Sequence, residues 1–240
     1  MGANGFMGSL YRISEWIMRF FGVNLLWIIF NLPVIYLGVN LISVENINEL
    51  LMVALTIAVL MPFIFFPATT AMFAVTRKWV MRETDFSIMR YFWDYYKENY
   101  MRSILGGLIL GGIWFIYVLD YYYFMIYISE SFSSALLFFL SMVFLLLFIF
   151  LLVFTFNFIS YTVHFNGKLS VSIKDAMLIT IGNPLISLSI GGINGLITYV
   201  SFSYLTFLIP FFMGSLIAFV SFTGFNMIYL KLLSLREENS

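Results

Sequence analysis

The side chains best suited to chemistry in this chain are neutral: amides, hydroxyls and backbone freed by proline. Asn24 and Asn31 lie seven residues apart, which puts them on one face of a helix. Asn157, Ser160, Tyr161 and His164 share a second face, and Ser187, Gly191, Asn194, Thr198 and Ser201 form a third stripe. Pro62 and Pro67 are followed by Thr69 and Thr70, and Pro33 comes two residues after Asn31. Each proline removes a donor and frees a carbonyl one turn back. Threonine hydroxyls can bond carbonyls of the preceding turn. Two uses fit such a set. Amides can tie helices together, at about 0.6 kcal/mol per hydrogen bond inside a bilayer. Alternatively they line a path where they replace water around a neutral, sugar-like solute, with proline-broken backbone near mid-membrane. Tying is the commoner use and the one favoured here.

Catalytic chemistry is poorly supplied. The chain has no Cys and one His, so it offers no thiol nucleophile, no disulfide and no His-rich metal site. His164 has no acid near it in sequence, and no GxSxG, HExxH or P-loop pattern occurs. We expect no catalytic, cofactor or metal residues and no enzymatic activity. No Lys, Arg, Asp or Glu stands near the middle of an apolar run, where such residues usually mark proton or ion pathways. Asp120, among Tyr117, Tyr121, Tyr122 and Tyr123, reads as part of an outer aromatic belt.

The elements that carry these residues follow from composition. The 240 residues are 62% hydrophobic and 10% charged, against about 25% charged in soluble domains. Formal net charge is zero, so no nucleic-acid partner is implied. A crossing helix needs about 20 apolar residues. Uncharged runs place spans at about 20–42, 50–76, 103–127, 134–163, 180–205 and 210–230. The run from Ala176 to Leu230 is 55 residues long, too long for one crossing, and Pro210 marks its break.

The twelve Lys and Arg residues agree with six spans. All fall at one end, in clusters at Arg12–Arg19, Arg77–Arg102, Lys168–Lys174 and Lys231–Arg236. The opposite connectors hold only Glu45, Glu49, Asp120 and Glu130. Because cytoplasmic loops are enriched in Lys and Arg, both termini are expected in the cytoplasm. Five spans would place Lys231 and Arg236 outside. Arg12 and Arg19 before an apolar run mimic a signal peptide, but the run of 23 residues is long and no A-x-A site follows, so we expect an uncleaved helix. The expected fold is an all-α, polytopic bundle of six spans in a single membrane domain, 1–240, with short interfacial amphipathic helices.

Two segments have that amphipathic pattern. Leu10, Ile13, Ile17, Phe20 and Phe21 oppose Arg12, Glu15 and Arg19. Phe86, Met89, Phe92, Trp93 and Tyr96 oppose Arg90, Asp94 and Lys97. The latter trio reads either as a headgroup-facing surface or as a cytoplasmic docking face. A weak internal repeat also shows. Asn99, Ser103 and Gly106-Gly107 recur as Asn183, Ser187 and Gly191-Gly192, each opening a GxxxG. Segments 50–127 and 131–205 would then be equivalent hairpins.

Three stretches carry a family resemblance. Leu25 to Pro33, then Pro67-Ala68-Thr69-Thr70-Ala71 through Val75 with Arg77-Lys78 behind it, then Phe92 through Ser103, resemble the YesL-like family of bacterial membrane proteins. The Pro-Ala-Thr-Thr-Ala block is the most specific, and the second half matches mainly by hydropathy. The resemblance implies a multi-pass protein of a Gram-positive plasma membrane, in a family of unknown function often encoded beside carbohydrate importers and sensor kinases. It establishes no ligand residue. The expected role is a non-enzymatic accessory or regulatory component associated with carbohydrate uptake. Its partners would be the bilayer and a membrane transporter or sensor kinase. The alternative is a transporter or channel for a small neutral solute.

Overall fold

The computed structural model describes residues 2–128 and 134–238, and every described element is a helix. Glu130, one of the acids expected in the outer connectors, lies outside these residues. Nine α-helices follow in order: α1 Gly2–Leu41, α2 Ile47–Leu60, α3 Phe66–Val80, α4 Ile88–Glu98, α5 Tyr100–Tyr123, α6 Ser134–His164, α7 Leu169–Gly182, α8 Pro184–Ser203 and α9 Gly214–Glu238. Six segments among the described residues are long and apolar enough to cross a bilayer: Met7–Leu41, Ile47–Val80, Tyr100–Ile126, Ala135–His164, Pro184–Ser203 and Ile209–Leu235. The protein is therefore a multi-pass membrane helical bundle.

Proline shapes the elements without stopping most of them. Span two is α2 and α3 joined by a π-helical turn, Met61–Phe65, with Pro62 at its start and Pro67 in the first turn of α3. Another π-helical turn, Ile209–Met213, carries Pro210 near its start and leads into α9. The wider turn accommodates the missing N–H groups while the axis continues. Pro33 is exposed, and α1 runs through it.

Two elements differ from expectation. The amphipathic segment 10–21 is not a separate interfacial helix. It is the first half of α1, whose 40 residues reach about 60 Å. Nothing between Phe21 and Leu32 breaks a helix, and Trp16 and Phe20 pack edge-on against Trp79 at 5.8 and 5.4 Å. The expected span at 180–205 is divided at Asn183. α7 folds back along α6, with the Tyr161 hydroxyl donating to Asp175 and Asn157 Nδ2 donating to Thr180 Oγ1 at 3.0 Å. Pro184 then opens α8, as proline favours a first turn.

The core is centred on α3. Every residue from Phe66 to Thr76 is buried, with Ala68, Ala71 and Ala74 at no exposure. Three alanines at one-turn spacing let α1, α5, α6 and α9 approach closely, the way helices associate where lipid removes the hydrophobic drive. α9 supplies Ala218, Phe222, Phe225 and Ile228, all fully buried. α6 instead leaves Phe138, Phe139, Leu145 and Leu146 exposed to the bilayer. α3 is capped by Met81, and Arg82 follows in the left-handed region at φ 63°, where the chain turns toward α4.

Candidate functional site

The polar residues of the spans are mostly held by neighbouring helices. Asn24 is fully buried and bridges the break at Pro210. Its Nδ2 donates to the carbonyls of Pro210 at 2.8 Å and Ile209 at 3.3 Å, while its Oδ1 accepts from Ser215 N–H at 3.1 Å. The two carbonyls belong to the π-helical turn, where the regular ladder shifts, and the Ser215 N–H to the first turn of α9 behind it. One amide from α1 thus repairs the start of α9. Gly214 makes the approach feasible, since a Cβ there would sit 3.0 Å from Asn24 Oδ1.

Pro67 has a similar consequence. It leaves the Phe63 carbonyl, four residues back, without its helical donor. The Tyr100 hydroxyl donates to that carbonyl at 3.1 Å. Pro184 likewise frees the Thr180 carbonyl, and the Ser187 hydroxyl donates to it at 3.0 Å. Tyr100 and Gly214 were not singled out from sequence. The rule that a proline frees the carbonyl four residues earlier says that a donor is needed, but not which distant residue provides it.

Thr69 accepts from Trp27 Nε1 at 3.0 Å, and Thr70 donates to the Phe66 carbonyl at 2.7 Å. Asn194 Nδ2 donates to Ser221 Oγ at 2.8 Å, joining α8 to α9. Asn31 Nδ2 donates to the Trp27 carbonyl on its own helix at 2.8 Å. The structure does not gather these residues into one constellation. Asn24 faces the α9 entry, Asn31 and Thr69 meet through Trp27, Asn157 faces α7, and Asn194 faces α9. Three amide oxygens, on Asn31, Asn157 and Asn194, are buried without a partner. His164 is ringed by Phe165, Phe222, Phe225 and Tyr229, at 4.6 to 6.0 Å between centroids. Among the described residues, no three His, Asp or Glu side chains converge as a metal site.

The glycine pairs act only in part as the repeat suggests. A Cβ on Gly107 would meet the Phe66 ring at 2.8 Å, and one on Gly191 would meet Val153 at 3.1 Å. Gly111 and Gly195 have nothing within 4 Å. Gly224, outside the motif, is tighter still: its Cβ would lie 2.5 Å from Ile190.

The second candidate is α4. Phe92 is fully buried and packs against Phe30 of α1 at 5.2 Å. Trp93 and Tyr96 also touch Phe30, at 5.7 and 4.8 Å. The opposite face carries Arg90, Asp94 and Lys97, whose side chains are 86%, 44% and 52% exposed. Asp94 lies 3.8 Å from Arg90 and 3.3 Å from Lys97, and the Lys97 ammonium sits over the Trp93 ring. Such exposed pairs are worth little energetically and leave the charges available. Met89 and Trp93 are also exposed, so the apolar stripe read from sequence is wider than the part that packs.

The loop before α4 is clamped. Glu83 N–H donates to the Lys78 carbonyl at 2.8 Å, and Lys78 Nζ contacts the Glu83 carboxylate at 2.6 Å. That hydrogen bond holds the Glu83 carboxyl below the usual carboxylate range. Lys78 also covers the rings of Phe86 and Tyr91, at 5.4 and 4.8 Å. A groove of about 440 Å³ runs beside this loop, between Tyr11, Ser14, Glu15, Met18 and Arg19 on α1 and Phe86 and Ile88.

Comparison with known proteins bears on this region. A family model described as "Protein of unknown function, DUF624" matches residues 46–121, from the cap of α2 into α5. The uncharacterized protein YteU of Bacillus subtilis (strain 168) is 30% identical over 237 residues, which covers 99% of this chain and 91% of that protein. The uncharacterized protein YesL of the same organism is 31% identical over 108 residues, 45% of this chain and 38% of that one. No solved structure matches the chain.

Proposed function

Because this chain belongs to the DUF624 family of YesL-like membrane proteins of unknown function, we propose a role from its geometry: a non-enzymatic accessory component of the plasma membrane, docking a partner through the outer face of α4. One observation carries the reading. α4 is pinned from behind by Phe92, which is fully buried, and presents Arg90, Asp94 and Lys97 outward. Its leading loop is tied back to the end of α3 by the contact of Lys78 with Glu83. Under the positive-inside rule it faces the cytoplasm. Link to carbohydrate uptake comes from the family resemblance, which makes a sugar importer or its sensor kinase the partner class.

The test is crosslinking and pull-down from native membranes with the full chain, compared with Arg90→Glu combined with Lys97→Glu. A partner captured by the parent chain and lost on charge reversal supports docking. A chain recovered alone in mild detergent, after crosslinking, overturns it.

A second reading rests on the orphan oxygens of Asn31, Asn157 and Asn194. Buried acceptors of this kind would serve a neutral, hydroxyl-rich solute in transit. Uptake into proteoliposomes across a sugar panel decides it. Flux that falls with Asn31→Leu and Thr69→Val supports transport, and absence of flux for every sugar removes it.

A further inference from the structure

The groove between α1 and the entry of α4 is apolar on the water side of the bundle. Phe20 to Leu41 already gives α1 about 32 Å of helix, enough for a hydrocarbon core of about 30 Å, so its earlier turns stand beyond that core at the basic end. Trp16 and Phe20, on one side of these turns, pack against Trp79. Met7, Tyr11, Ser14 and Met18 share the opposite side at helical spacing, and all four are exposed. Tyr11, Ser14 and Met18 form one wall of the groove of about 440 Å³, and Phe86 and Ile88 form the other. Because α1 is one continuous helix, this side cannot lie down in the headgroup layer as a free amphipathic helix would. Contiguous apolar surface left in water marks a site of contact with another molecule.

The charge around the groove selects its occupant. Segments 7–20 and 77–89, which carry both walls, hold five bases and three acids, a net charge of +2. Arg90, Asp94, Lys97 and Glu98, farther along α4, balance one another. Glu15, in the groove, is taken by Arg19. Arg12 is exposed, donates to the Gly8 carbonyl of its own helix at 3.3 Å, and forms no ion pair among the described residues. A second copy of this chain, related by a two-fold axis, would bring the same positive surface against it. A segment with apolar residues toward the groove and acids at its edges meets both features.

We infer that the groove seats an amphipathic helix of a partner protein, with apolar side chains between Met18 and Ile88 and carboxylates toward the basic rim. Such helix-in-groove recognition uses anchors every three or four residues. From Met7 to Met18 the stripe is about 16 Å long, which suits a partner helix of about three turns. Met18 on one wall and Met89, next to Ile88 on the other, are both exposed, and methionine side chains adapt to the shape of such a helix. The contact presupposes a docked partner, as proposed for α4, but it does not use Arg90 or Lys97.

The test is site-specific photocrosslinking of the full chain in native membranes. A photoreactive phenylalanine analogue replaces Tyr11 in one chain, Met18 in a second, and Ser234 of α9, exposed at the same end, in a third. Crosslinked peptides are then sequenced by mass spectrometry. Positions 11 and 18 should give adducts with one segment of another protein, apolar on one helical face and acidic at its edges, and position 234 should give none. High salt should lower the yield roughly fivefold as the rim charges are screened. Ser14→Trp, which fills the groove from an exposed position, should abolish the adducts. An adduct with a second copy of this chain, with a lipid or with a segment lacking acids overturns the proposal. Equal crosslinking from position 234, or no adduct at all, overturns it too. Docking through α4 is read separately. If charge reversal at Arg90 and Lys97 leaves the position 11 adduct in place, the groove stands without that face. If charge reversal removes a captured partner while the parent chain gives no adduct from 11 or 18, the face stands without the groove.

Discussion

Asn24 and Asn31 look equivalent on a helical wheel, and their surroundings separate them. Asn24 satisfies two carbonyls and one N–H at the broken start of α9. Asn31 bonds only the Trp27 carbonyl, which the α1 ladder already serves, and its Oδ1 is buried without a partner. At about 0.6 kcal/mol per hydrogen bond in a bilayer, Asn24→Leu should cost about 2 kcal/mol. Asn31→Leu should be neutral or slightly stabilising, because replacing a half-satisfied polar group by an apolar one of similar volume removes a penalty. Melting of both variants in detergent, read by tryptophan fluorescence, checks the order. Equal losses would mean that Asn31 has a partner of its own. The shared face was legible in sequence; the difference was not, because it depends on a carbonyl 186 residues away.

Proline and glycine decide where these helices bend and how closely they pack. If Tyr100 serves the carbonyl freed by Pro67, the two residues are energetically coupled. Tyr100→Phe should cost about 0.6 kcal/mol in the parent chain and almost nothing beside Pro67→Ala, since alanine restores the helical donor. Equal costs in both backgrounds of the double-mutant cycle would sink this account. Gly107→Ala forces a methyl into the Phe66 ring and should cost about 1–3 kcal/mol, while Gly111→Ala, with open space around it, should change stability by only a few tenths. Melting temperatures of the pair check this, and they ask whether the GxxxG spacing is a packing motif or a coincidence of one close contact. The loop before α4 has its own signature. Glu83 is held low by Lys78, so its contribution is present above the usual carboxylate range and is lost as pH falls through the depressed value. Stability should therefore drop on acidification in the parent chain, with a smaller acid slope in Glu83→Gln. The drop is small, because the carboxylate is about half exposed.

For the whole molecule, hydropathy and charge made six spans readable, because lipid imposes length and apolarity on each crossing. The central position of α3 was not readable. Its Pro-Ala-Thr-Thr-Ala block is no more apolar than its neighbours, and only the packing of α1, α5, α6 and α9 around Ala68, Ala71 and Ala74 sets it apart. The fold-back of α7 was hidden too, since the uncharged stretch 176–182 reads as the opening of a span. What the bundle leaves to be fixed is its direction. Six crossings put Ser87 and Ser234 at the end with the bases, and Ser43 and Ser203 at the other. The chain has no cysteine, so single substitutions report without background. All four serines are exposed. In intact cells a membrane-impermeant maleimide should label Ser43→Cys and Ser203→Cys and spare Ser87→Cys and Ser234→Cys until the cells are permeabilised. Reversal of all four would turn the bundle over and put the proposed docking face on the outer side. Labelling of Ser234→Cys together with Ser43→Cys would instead restore five crossings. It would also separate Lys231 from the other basic clusters, contrary to the bias that retains Lys and Arg on the cytoplasmic side.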